Sequence, residues 1–191
     1  TLLPNHGQQI STSRRTFDGA PDAAATLAET LSWLTENGDP LLSEERTLAA
    51  RLLPEGPGWV LSWRSVLTAS AGDLTFASPS VRGRPGAGYA GLFWRFGESR
   101  IERLFAPSGD GEAGINGRPH PWVAGVSGGA SPLTVVFTQG PGEERPWFLR
   151  ASDYTGIGPS LAWDRPLTLP AGESLTLGLD AFLLDASLTR E

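Results

Sequence analysis

Along residues 58–69, GWVLSWRSVLTA, the chain alternates. Trp59, Leu61, Trp63, Ser65 and Leu67 fall on one face, and Val60, Ser62, Arg64, Val66 and Thr68 on the other. A period of two predicts a strand, and two Trp on one face predict a sheet packed against another sheet. Before it, AETLSWLT (28–35) does not choose between helix and strand by its own pattern, and the alanines of DAAATLAE lean towards helix. The Asn-Gly pair in ENGDP (36–40) decides for a hairpin, with LLSEERTLAARLLP returning as the partner strand. Residues 1–25 are polar and read as irregular.

Downstream, DLTFAS (73–78), AGLFWRF (90–96) and RPWFLRAS (145–152) read as short strands. PWVAGVS and LTVVFTQ (133–139) form a second hairpin around GGASP. The closing stretch reads as a strand at LAWD, a PAGES turn, and alternation through Leu175, Leu177 and Leu179. Eight to ten short strands with turn chemistry between them, and no βαβ rhythm, predict an all-β antiparallel sandwich with few or no helices. No repeat, charge block or linker divides the chain, so residues 1–191 read as a single β-sandwich domain.

Composition refines this picture. The 24 Gly and 16 Pro fit many turns, and 39% hydrophobic residues fit a packed core. The net charge is −6 with no basic cluster, which argues against a nucleic-acid partner. All 15 basic residues are Arg, which reads as base composition or as selection for bidentate anion recognition. No Cys is present, so disulfides and thiolate chemistry are excluded. No apolar run reaches the roughly 18 residues of a spanning helix, and no charged-then-apolar leader appears. The expectation is a cytoplasmic chain with no membrane partner. The chain opens on Thr1 in mid-pattern, which reads as the C-terminal portion of a longer protein.

Candidate chemistry is sparse. GRPGAGYAG resembles a phosphate loop but lacks the Lys-Ser/Thr pair, so a tight loop fits better. Leu92, Trp94 and Phe96 share a core face, Arg95 faces away with Phe93, and Arg84 and Tyr89 sit in the loop as candidate ligand contacts. The two histidines, His6 and His120, make no metal set, and no cofactor or metal is expected. His120, between two prolines, reads as a turn residue or a general acid-base. Trp147 and Arg150 in RPWFLR suit a sugar or carboxylate, the ring stacking on C–H faces and the guanidinium forking onto oxygens. A sandwich core with an exposed Arg is the other reading. Trp163 and Asp164 in LAWD carry the same two readings. No G-x-S-x-G elbow exists for a serine nucleophile. The pairs Glu44/Glu45 and Glu143/Glu144 point to opposite faces of a strand and read as solvated.

At SPSVRGRPGAGYAGLFWR the chain resembles a family of bacterial soluble proteins known as methane oxygenase PmoA. ERTLAARLL, GWVLSWRSVLTA, HPWVAG, RPWFLR and LTLPAGESLTL stand in the matching succession, and the likeness covers most of residues 1–185. The resemblance implies a β-supersandwich of the galactose-mutarotase-like sort. It also implies a preceding segment rich in His and Arg, and a place in carbohydrate metabolism. The resulting expectation is a carbohydrate-binding or carbohydrate-acting domain for a sugar or sugar acid. Arg84, Tyr89, Arg95, Trp147 and Arg150 would bind the ligand, and His120 would carry any proton. The alternatives are a non-catalytic assembly module whose Trp and Arg serve packing, and a metal-dependent oxygenase as the family name suggests.

Overall fold

The computed structural model describes residues 6–18, 25–54, 56–97, 101–140, 142, 144–152 and 154–189. Four long strands come first: β1 (Gln8–Phe17), β2 (Ala25–Leu34), β3 (Pro40–Leu52) and β4 (Gly58–Ala69). They form an antiparallel meander. The β2–β3 turn is closed by Thr35, whose backbone N–H donates to the Asp39 carbonyl at 2.8 Å. Its hydroxyl accepts the backbone N–H groups of Asn37 and Asp39. Gly38 takes φ +89 there, which glycine adopts without strain.

Short elements follow: β5 (Leu74–Phe76), β6 (Trp94–Arg95), β7 (Arg103–Ala106), β8 (Gly109–Asp110) and one helical turn, α1 (Gly111–Ile115). Then come β9 (Trp122–Ser127), β10 (Leu133–Gln139), β11 (Trp147–Arg150), β12 (Gly156–Pro159), β13 (Leu167–Leu169) and β14 (Ser174–Leu184). The large sheet runs β1-β2-β3-β4-β14-β10-β9-β7-β8. Two small sheets, β11-β12-β6 and β13-β5, complete the fold, and every pairing among the described residues is antiparallel. The protein is an all-β, sandwich-like fold.

The core lies where inward-facing rows meet the small sheets. Leu177, Leu179 and Ala181 of β14, Val135 and Phe137 of β10, and Val123 of β9 pack with Trp147, Leu149 and Ile157 of the three-stranded sheet. Trp94, Phe96 and Phe137 join edge to face, with centroids 5.7 to 6.4 Å apart.

Several expectations need correction. The polar stretch read as irregular contains β1, an exposed edge strand. Its pairing to β2 satisfies the backbone groups facing that strand without burying side chains, so hydrophobic alternation gives no sign of it. AGLFWRF keeps only Trp94–Arg95 as strand, and LAWD is loop. There, Trp163 lies against the Gly88 and Gly117 backbones, which fixes a bend rather than a ladder.

Candidate functional site

A cavity of about 370 Å3 opens over the inner face of β1–β4. Its floor is sheet: Trp33 of β2, Glu44 and Arg46 of β3, Trp63, Ser65 and Leu67 of β4, and Leu177 of β14. Its roof is Phe76, Ala77, the loop from Tyr89 to Phe93, and Leu161, with Gln9 of β1 at the edge. Register explains the convergence. Arg14, Glu29, Arg46, Ser65 and Leu177 pair successively across five strands, and directly opposed residues share a face.

Glu44 is the centre of this floor and is only 2% exposed. Its Oε1 accepts from Arg46 Nε at 2.9 Å and from the Ser65 hydroxyl at 2.6 Å. Its Oε2 accepts from Arg46 Nη2 and Trp33 Nε1, both at 2.9 Å. These four donors match the roughly four lone-pair sites of a carboxylate. Ser65 in turn accepts from Trp63 Nε1 at 3.0 Å, and the Arg46 guanidinium lies 5.7 Å from the Trp63 ring centre. Arg46 Nη1 stands 3.5 Å from Glu29 Oε2.

Burial alone would push the Glu44 carboxyl up. Hydrogen bonds from Arg46, Ser65 and Trp33, with the Arg46 charge, overcome that and hold it below its ordinary value. Glu44 is therefore ionised at neutral pH, yet its lone pairs are taken. It is suited to fixing the floor and poorly suited to abstracting a proton. Both indole N–H groups are spent on the same network, so Trp33 and Trp63 offer the cavity ring surface rather than donors.

Glu44 is thus not solvated, although Glu45 beside it is exposed on the other face, as alternation requires. Glu143 lies outside the described residues. The informative neighbour of Glu44 is Arg46, two positions on. Leu42, Glu44, Arg46 and Leu48 share the inward face of β3, an ion pair set between two leucines. A polar Ser65 between Trp63 and Leu67 marks the opposing strand in the same way. Those two patterns are the signals by which the floor could have been found in the sequence.

Of the six residues singled out from the sequence, Tyr89 alone lines this cavity. Its ring, 45% exposed, packs 5.5 Å from Phe148. Phe148 also touches Phe93 at 5.7 Å, and Arg150 lies over it at 5.7 Å. Arg150 pairs with Glu112 at 3.2 Å. Arg95 is exposed over the Tyr154 ring at 4.6 Å. Arg150, Gly156 and Arg95 form one row across β11, β12 and β6. Arg84 is exposed, and its backbone shapes the glycine-rich loop through bonds to Pro79 and Ala87. Trp147 is fully buried and donates Nε1 to the His120 carbonyl at 2.8 Å. It has no ring face open to a ligand. His120 is 3% exposed and stands apart from the cavity residues.

The glycine-rich loop serves close approach. A Cβ on Gly88 would lie 1.9 Å from Trp163 Cε3, and the Gly88 carbonyl accepts the Ser160 hydroxyl. Seated this way, the chain carries Tyr89–Phe93 across the cavity. Among the described residues no group of three or more His, Cys, Asp or Glu is placed to hold a metal ion. No helix among them is long and apolar enough to cross a membrane.

Fold and site together define an all-β sandwich-like protein with an aromatic-walled cavity over a buried ion pair. The chain belongs to DUF6807, a family of unknown function, whose model matches residues 1–191. Among curated proteins none matches it.

Proposed function

We propose that the cavity binds a saccharide. The observation that carries this reading is the ring set of Trp33, Trp63, Tyr89 and Phe93 around the Glu44–Arg46 floor. Aromatic faces suit the C–H faces of a sugar ring, and a few fixed polar groups give orientation. The volume of about 370 Å3 lies at the lower end of small-molecule sites and fits a monosaccharide. The resemblance to PmoA proteins and its implied carbohydrate setting support the same reading. The role is binding. The sequence's candidate proton carrier, His120, is not among the cavity residues, and the Glu44 lone pairs are filled.

The test is tryptophan-fluorescence titration with a panel of monosaccharides. Saturable quenching is expected, and Tyr89→Ala weakens it about tenfold while the melting temperature moves little. Arg84→Ala, outside the cavity, leaves it unchanged. Absence of saturation with every sugar refutes the reading.

A second reading has its own support: the other five sequence candidates divide between core, ion pair and exposed surface. That distribution suits a non-catalytic module in which Trp and Arg serve packing and partner contact. Flat titrations with an intact fold favour it.

A further inference from the structure

Resting on the saccharide reading, we infer that the cavity selects neutral sugars and rejects their acids. The reason is how the charges are committed. Arg46 is the single cation among the described cavity residues. A guanidinium has five N–H donors. Nε and one N–H of Nη2 go to Glu44, and Nη1 faces Glu29. Its side chain is 19% exposed, and those of Glu44 and Glu29 are 2% and 14% exposed. One guanidinium thus stands between two carboxylates, and the trio carries a net negative charge.

The other described cations lie outside the cavity lining. Arg14 is exposed on the edge strand, one strand beyond Glu29 in the same row. Arg95 caps Tyr154, and Arg150 is held by Glu112. Among the described lining residues, a ligand carboxylate entering the cavity meets the ionised Glu44 and, in Arg46, a cation already shared with Glu29. A neutral hydroxyl fares better. It accepts from an Arg46 N–H group left over and brings no charge towards Glu44. Bidentate recognition of an acid needs a free guanidinium fork, and here Glu44 takes the Nε/Nη2 edge while Glu29 faces Nη1.

The experiment compares glucose, galactose and mannose with glucuronate, galacturonate and mannuronate, by fluorescence titration of the whole chain at low salt. At least one neutral hexose is expected to bind at least tenfold more tightly than its own uronate. Glu29→Gln, which removes one anion outside the stacking surface, narrows that ratio to about threefold. A merely structural effect would weaken both ligands alike and leave the ratio unmoved. A uronate binding as tightly as its hexose overturns the charge argument and leaves the saccharide reading standing. A ratio unmoved in Glu29→Gln also overturns it. Absence of binding by all six overturns both.

Discussion

Replacing Glu44 with Gln preserves size and removes one charge from the cavity floor. Gln offers one carbonyl oxygen where the carboxylate offers two. In either orientation its NH2 group faces two of the four donors: Trp33 Nε1 with Arg46 Nη2, or Arg46 Nε with the Ser65 hydroxyl. Two charge-assisted hydrogen bonds are lost, at roughly 1.5 kcal/mol each, or about 3 kcal/mol together. That figure falls at the low end of the roughly 3–5 kcal/mol for breaking a buried ion pair. Glu29 keeps Arg46 from being stranded, which favours the low end. In a chain of this size the melting temperature falls by roughly 6–12 °C. Urea unfolding followed by tryptophan fluorescence measures the free energy, and Glu45→Gln, on the exposed face, stays within about 0.5 kcal/mol of wild type. The pH dependence supplies a second check. The Glu44 pKa is lowered in the fold from an ordinary value of 4.5. The unfolded chain therefore takes up the proton first. The carboxylate's stabilisation is complete above that ordinary value and is lost as pH falls through the lower folded one. The gap between wild type and Glu44→Gln closes over that acid range. A difference under 1 kcal/mol at neutral pH, or a gap that persists in acid, refutes the account of the floor.

Two further substitutions test the frame around the cavity. Trp147→Ala removes a fully buried indole and its bond to the His120 carbonyl, and costs about 3–5 kcal/mol; unchanged urea stability would show that its burial is misplaced. Gly88→Ala forces a methyl against Trp163 at 1.9 Å and destabilises by about 1–3 kcal/mol, read as a lower melting temperature; a neutral result would mean that the loop moves aside freely.

The long strands were legible because one of their faces is buried. β4 spans the alternating run 58–69, the Asn-Gly turn sits between β2 and β3, and the 133–139 run is β10. β1 was not, since an exposed edge leaves its side chains free of any period. Trp147 illustrates a different limit. Alternation assigns a strand residue to a face without saying which face is covered, so a core indole and a stacking platform look alike. The cavity floor failed for another reason. Along the chain Glu44 adjoins Glu45, whereas its energetic partner is two residues away and further partners come from β2 and β4. Cross-strand register, which joins Arg46 to Ser65 and Glu29, is set by turn geometry and cannot be counted along one segment.

The position of β14 has a consequence for biosynthesis. It is inserted between β4 and β10, and its pairing with β4 runs from Ser174 opposite Thr68 to Leu184 opposite Gly58, more than a hundred residues apart in the chain. Until Ser174–Leu184 leaves the ribosome, β4 and β10 each present an open row of amides and carbonyls. The nascent chain carries the β4 border from Ala69 onward and the β10 border over the shorter stretch between Gln139 and Ser174. β14 seals both at once, so the sheet closes only after Ser174–Leu184 has emerged, and a chaperone acting on this protein would act in that interval.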